Sequence, residues 1–224
     1  MHELDNPFWT SLQTRHRDIA LSAGDVARFP ADYAPFLGVA HAEVHLSDAM
    51  ASLLAPEEVI YLLGVAPKLS DDWQIEAFRP LAQMICEAPL SLIDGPQIIA
   101  LSGEHRDDVL DLTARIYPHY FRRRTMELGR YFGIYQDGKL AAMIGERMGT
   151  DSYQEISAVC TDPDFNGRGY ARQLLAFLSN DNLERKRQPF LHVSHENSRA
   201  LSLYEKTGYR IRRDIPFYSL RRNR

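Results

Sequence analysis

Val159-Cys-Thr-Asp-Pro-Asp-Phe-Asn-Gly-Arg-Gly-Tyr-Ala171 decides how this chain is read. Ile156 to Thr161 is rich in β-branched and small residues and reads as a buried strand. Asp162-Pro163-Asp164 ends it, because proline cannot continue a ladder and aspartate closes turns with its side chain. Gly167 and Gly169 follow, and then Ala171, Leu174, Leu175 and Leu178 recur at the spacing of one helical face. A strand, a glycine turn and a helix start together make an anion site. The first N–H groups of a helix lack internal acceptors, and glycine lets an anion come close to the backbone.

Other residues narrow the anion. Arg172 stands where a dinucleotide fingerprint needs a third small residue, and its bulk would hold helix and strand apart. No Gly-Lys-Ser/Thr follows, so this is not a nucleoside-triphosphate loop. What remains is a short loop that holds one pyrophosphate by backbone N–H groups, assisted by Arg168 or Arg172. Charge-assisted hydrogen bonds contribute roughly 1.5–3 kcal/mol each, against about 0.3–1 kcal/mol from a helix dipole, so the directed N–H groups dominate.

Asn166-Gly167-Arg168-Gly169-Tyr170-Ala171 is similar to the coenzyme A loop of the GNAT superfamily of N-acetyltransferases, written Arg/Gln-x-x-Gly-x-Gly/Ala. Asn197-Ser-Arg-Ala200-Leu-Ser-Leu-Tyr204-Glu-Lys-Thr-Gly208-Tyr209 resembles that superfamily's second signature, Asn-x-x-Ala-x-x-x-Tyr-x-x-x-Gly-Phe/Tyr. The two motifs stand in order with one expected strand between them, and the resemblance spans residues 97–220. Asn166 departs from the usual Arg or Gln, which removes one side-chain contribution and leaves the backbone donors.

Outside this region the sequence sets bounds. The 224 residues suit one large or two small domains, and 45% hydrophobic with 25% charged residues describes a soluble globular protein. A net charge of −4 does not suit a nucleic-acid binder, and the basic end at Arg221, Arg222 and Arg224 reads as a solvated terminus. Cys86 and Cys160 lie in apolar runs and read as buried free thiols of a reducing compartment. With no leader-like opening and no apolar run long enough to span a bilayer, we expect a cytoplasmic protein with no membrane partner.

Residues 1–95 read as a smaller α/β region. Asn6-Pro7 suggests a cap and first helical residue ahead of Phe8 and Leu12. Ile19–Leu21 and Val26–Phe29 suggest a hairpin, Asp48–Leu54 a short helix, and Val59–Leu63, Trp73–Ala77 and Ala82–Glu87 strands. Some two-part members of the superfamily, resembling glycine N-acyltransferases, carry a reduced acyltransferase-like half here, and this order is compatible with that. Pro89 to Pro96, with Asp94-Gly95, is the expected boundary to the acyltransferase domain at 96–224.

Within 96–224, Ile98–Leu101 reads as a strand and Ser102 as the cap of a helix holding Val109, Leu112, Thr113 and Ile116. Tyr117–Thr125 is an aromatic, basic loop: a solvated connection, or, by the resemblance, a wall of the acceptor site. Tyr131–Tyr135 and Leu140–Arg147 form a hairpin through Asp137-Gly138. Phe190–Val193, Tyr209–Arg212 and Phe217–Leu220 complete the expected sheet, with Gly208 stopping the last helix. Hairpins among alternating elements imply an α+β, mixed α/β fold with a mixed sheet, and the resemblance implies a GNAT-type central sheet that is mainly antiparallel and flanked by helices.

The resemblance implies acetyl-CoA, or another acyl-CoA, as co-substrate, with a small-molecule amine or a protein amino group as acceptor. It places Ala158, Val159 and Cys160 along the thioester, Asn166 to Arg172 on the diphosphate, and Asn197, Ala200 and Tyr204 beside the pantetheine arm. Tyr204 falls at the family's general-acid position, and its reference pKa near 10 keeps it protonated beside a thiol near 8.5. Helical spacing alone also allows a core-facing Tyr204, and Asn197 also suits an N-cap. The oxyanion donor is expected among the backbone N–H groups near Val159 or Cys160. Glu155 and Glu146, on neighbouring strands, are candidate bases, although strand glutamates usually face solvent and some members use no dedicated base. Cys160 in an apolar strand is expected to be inert. His192 and His195 point to opposite faces of an extended segment, so no metal is expected. Two alternatives stay open: a non-catalytic acyl-CoA sensor, and a module that has lost the cofactor through Asn166.

Overall fold

The computed structural model describes residues 2–46, 53–55, 57–116 and 118–223. Helix α1 (Pro7–Gln13) begins with proline at its first turn, as expected, but Asn6 does not cap it. Asn6 instead donates from Nδ2 to the Val39 carbonyl at 2.7 Å, tying the helix start to the strand beside it. Strands β1 (Leu21–Ala23), β2 (Val26–Arg28) and β3 (Leu37–Val39) form a small antiparallel sheet; the first two make a hairpin as expected, but Ile19 lies in a 3-10 turn and Ser22 and Ala23, expected in the turn, belong to the strand. Most of the helix expected over Asp48–Leu54 lies outside the described residues; Leu53 and Leu54 form a turn and a bend. Strands β4 (Ile60–Leu63), β5 (Trp73–Ala77) and β6 (Leu81–Ile85) follow.

Beyond the Pro89–Pro96 connection come β7 (Ile99–Leu101) and α2 (Arg106–Ile116), which Ser102 introduces by accepting from the Glu104 N–H. The hairpin β8 (Tyr131–Gln136) and β9 (Lys139–Gly149) turns through Asp137 at φ 51° and Gly138 at φ 75°, the left-handed pair that a two-residue loop requires. The remainder is β10 (Tyr153–Thr161), α3 (Tyr170–Glu184), β11 (Gln188–Ser194), α4 (Ser198–Thr207), β12 (Arg210–Ile215) and β13 (Phe217–Arg222).

The main sheet has the order β12-β6-β11-β10-β9-β8-β7, antiparallel throughout except for β10 and β11. It is the mixed, mainly antiparallel sheet that the sequence implied. Strands from both sides of residue 95 are woven together: β6 lies between β11 and β12, and β13 lies between β4 and β5 in a further three-stranded sheet. Among the described residues no helix is long and apolar enough to cross a membrane.

Two features of β10 shape the site. Ser157 pairs with Gly145 but Cys160 pairs with Met143, so three steps on β10 face two on β9. This bulge, with Ala158 at φ 50°, shifts the strand's phase by one residue. Ile156 and Val159 therefore pack with Leu174 and Leu178 of α3, whereas Ala158 and Cys160 pack with Val109 and Leu112 of α2. The second feature is a parting. β10 and β11 pair only from Tyr153–Gln188 to Glu155–Phe190; beyond that β10 continues along β9 and β11 along β6. A wedge opens between them.

Candidate active site

The glycine loop before α3 is open. Gly167 and Gly169 sit at φ 78° and 81°, conformations that L side chains rarely adopt, with nothing within 4 Å of where a Cβ would stand. The first hydrogen bond of α3 runs from the Gln173 N–H to the Gly169 carbonyl. The N–H groups of Tyr170, Ala171 and Arg172 thus have no intrahelical acceptor. Asp162 secures the approach: its carboxylate accepts from the Asp164 N–H and from Arg115 at 2.9 Å each. Those donors hold its pKa below the usual carboxylate range.

Arg168 lies over the Phe165 ring at 4.9 Å, which fixes one cation at the loop. Asn166 accepts from Arg199 Nη2 at 2.8 Å. Arg199, on α4, thereby brings a second cation to the loop where Asn166 left a gap in the motif. Motif spacing carries no sign of it, since Arg199 occupies a variable position of the second signature.

Asn166 to Arg172 line one cavity, of about 520 Å³. A second, of about 300 Å³, reaches into the wedge and is lined by Ala158, Val159 and Cys160 among others. Val159, Asn197, Ala200 and Tyr204 line both, with Ile116. Asn197 does cap α4, its Oδ1 accepting from the Ala200 N–H at 3.0 Å, and it also faces the cavities. Tyr204 is buried on the α4 face that carries Ala200 and stands where the cavities meet. Burial pushes the Cys160 thiol up to about 12, leaving it protonated and inert.

The two glutamates do not face solvent: Glu146 is 1% exposed and Glu155 0%. Glu146 accepts from Arg130 Nη2 at 2.5 Å and Nε at 3.1 Å, and lines neither cavity. Glu155 does line the wedge cavity, but its oxygens are taken. Oε2 accepts from Arg147 Nε at 2.8 Å and from the Met148 N–H at 3.3 Å. Oε1 accepts from Arg147 Nη2 at 2.8 Å and from His192 Nδ1 at 2.9 Å. Burial alone would raise its pKa, yet Arg147 and His192 outweigh burial and hold it down at about 2. A carboxylate with four donors on its lone pairs is a structural anion and a poor proton acceptor.

The tautomer of His192 follows from its neighbours. Gln83 accepts on Oε1 from Arg212 at 2.7 Å and donates from Nε2 to the Leu4 carbonyl at 2.8 Å. Its remaining N–H points to His192 Nε2 at 3.0 Å, so that nitrogen accepts and Nδ1 carries the proton given to Glu155. Sequence alone offers His192 only as a metal-ligand candidate, which its spacing from His195 rejects. Its pairing with Gln83 across β6 and β11 links residues far apart in the chain, which no local pattern reports.

The loop Tyr117–Thr125 divides its roles. Tyr120 lines the wedge cavity, whereas Arg124 stacks on Tyr33 at 4.2 Å and pairs with Glu127 at 2.7 Å.

With this geometry in place, known proteins can be set beside it. A crystal structure of a candidate GNAT-family acetyltransferase from Novosphingobium aromaticivorans superposes with a TM-score of 0.87 at 31% identity, covering 100% of both chains. The chain belongs to the GNAT family. Residues 131–217 match the FR47-like protein family. A GCN5-related N-acetyltransferase from Kribbella flavida shares the fold, with a TM-score of 0.62 at 15% identity over 96% of this chain and 93% of that one. A GNAT-family acetyltransferase from Colwellia psychrerythraea gives 0.53 at 13% identity over 66% and 57%. No curated protein matches significantly. The finer likeness to two-part glycine N-acyltransferases rests on the order of strands and helices alone.

Proposed function

We propose that this GNAT protein transfers an acetyl group from acetyl-CoA to the nitrogen of a primary amine, by direct attack while both are bound. One observation carries the reading: the glycine loop opens on a cavity that runs, past Val159, Asn197, Ala200 and Tyr204, into the wedge between β10 and β11. A long ligand gripped at Gly167–Gly169 has its far end directed there. The space above both glycines and the cations Arg168 and Arg199 fit a diphosphate.

When bound, acetyl-CoA supplies an activated thioester carbonyl. The protein's part is to orient, to stabilise charge and to move protons. The bulge at Ala158–Val159 takes one residue of β10 out of the ladder, so a backbone N–H there suits the carbonyl oxygen as it gains negative charge. As the C–N bond forms and the C–S bond breaks, the thiolate takes the Tyr204 proton, which solvent restores. The amine gives up its surplus proton to water. No side-chain base is required of Glu155, whose four donors keep it an anion.

The reaction is tested by incubating purified protein with acetyl-CoA and a panel of amines, following release of CoA thiol and the mass of the products. Acetylated amine is the expected result. Binding of acetyl-CoA with no transfer to any amine would leave the sensor reading in its place.

A further inference from the structure

The wedge cavity is more than a slot for a thioester, because residues 1–95 wall off its far side. Phe8 of α1, Phe36 ahead of β3, Leu63 of β4 and Leu81 of β6 all line it. Tyr120 and Phe217 meet them from the other half of the chain. These rings form one connected cluster. Phe8 stacks on Phe36 with centroids 4.4 Å apart, Phe36 lies 6.2 Å from Tyr120, and Tyr120 lies 6.2 Å from Phe217. Tyr61 stacks on Phe217 at 5.5 Å and braces it from behind. Phe8 and Phe36 are almost fully buried and so make a fixed wall, while Tyr120 and Phe217 are half-buried at the mouth.

Charge in the chamber is closed on itself. Among the described residues, its charged lining side chains are Arg147 and Glu155, bound to each other bidentately. Arg147 also stacks on Phe36 at 4.7 Å, which commits its guanidinium further. No lining cation is left over for a carboxylate or phosphate, and no lining anion for a second ammonium. Ser157 and Ser194, beside His192, give the floor a hydrogen-bonding character. A polar floor with ring walls suits a molecule having one polar end and an apolar body. The hydrocarbon tail of a longer acyl group has no such end and would strip the floor of water without replacing it.

We propose that the acceptor is a small primary amine with an uncharged, ring-bearing body, seated with its nitrogen at the Ser157–Ser194 floor and its ring against Phe36, Tyr120 and Phe217. This rests on the acetyltransferase reading and narrows it to a substrate class.

The test compares phenethylamine, ethylamine, phenylalanine, spermidine and a lysine-containing peptide as acceptors for acetyl-CoA, with octanoyl-CoA as a second donor. Phenethylamine should exceed ethylamine in kcat/KM by about 10-fold or more, from ring burial. It should exceed phenylalanine by about 100-fold or more, because that carboxylate would be buried unpaired. Phe217→Ala should raise the KM for phenethylamine about 10-fold more than that for ethylamine. Tyr120→Ser provides the same comparison should the first variant fold poorly. Preference for phenylalanine, spermidine or the peptide, with CoA still released, would overturn the acceptor class and leave acetyl transfer standing. A preference for octanoyl-CoA that phenethylamine competes against would also overturn it, by assigning the rings to the acyl chain. If acetyl-CoA binds and no amine is acetylated, the acetyltransferase reading fails, and this proposal with it.

Discussion

Glu155 on β10 and His192 on β11 meet at 2.9 Å where these two parallel strands separate, so the last paired position of the wedge is locked by a side-chain hydrogen bond. Arg147 closes the same carboxylate from the next strand. The apex of the site is therefore a buried ion pair whose side chains themselves line the cavity.

Removing the anion should cost stability. Glu155→Ala takes from buried Arg147 the carboxylate that it grips twice, a loss of about 3–5 kcal/mol for breaking a buried pair. The urea midpoint should fall accordingly with the slope of the transition unchanged. A variant of wild-type stability but with turnover abolished would instead make Glu155 the proton acceptor.

The same pair sets an acid limit. Glu155 is held at about 2 in the folded protein, below its ordinary value of 4.5. A depressed carboxylate stabilises the fold fully above the unfolded value, and that contribution is lost as pH falls through the folded one. Asp5 behaves alike: burial pulls it upward, but Arg212 and Arg213 outweigh burial and bring it to about 2. Stability should decline between about pH 4.5 and pH 2, and Glu155→Gln should flatten that decline in a pH series of denaturation curves.

Tyr204→Phe removes the phenolic proton and keeps the ring. Turnover should drop by roughly 100-fold or more, within the range for general acids, while acetyl-CoA affinity by calorimetry changes little. Unchanged turnover would remove Tyr204 from the mechanism.

At the loop, Gly169→Val imposes a β-branched side chain on a residue at φ 81° and fills the open space above it. The backbone term alone is about 1–2 kcal/mol. Acetyl-CoA affinity should fall more than 10-fold, by the loss of charge-assisted N–H contacts. Arg199→Ala, which disturbs no turn, should weaken binding less and reduce its salt dependence.

Both cysteines should resist modification. Burial pushes Cys160 up to about 12 and raises Cys86 as well, so a disulfide reagent at pH 8 should label neither until urea unfolds the chain. Rapid labelling of the folded protein would contradict the packing described.

Local chemistry made much of this readable. Two glycines, a proline turn and an i, i+3, i+4 stripe give the loop and α3, and Asp137-Gly138 gives the β8–β9 turn. The glutamates depart from expectation because strand alternation predicts a wet face only when one side of a sheet is open. Here β9 is buried from Leu140 to Gly149, covered on one side by α3 and on the other by α1 and α2. That second cover comes partly from residues 1–95, whose place is set by pairings between distant segments. Gln83 beside His192, and Phe36 beside Tyr120, belong to the same class of contact. Sequence periodicity carries no information about them.

The interleaving of strands has a cost during synthesis. Ile85 leaves the ribosome long before Phe190 and Arg210, the residues that flank it in the finished sheet. Until then β6 presents two unsatisfied edges, and Phe217, which closes the wedge cavity opposite Phe8 and Phe36, has not yet been made. The nascent protein must wait for its own carboxyl-terminal strands, which favours slow maturation and a need for chaperones that shield the early half.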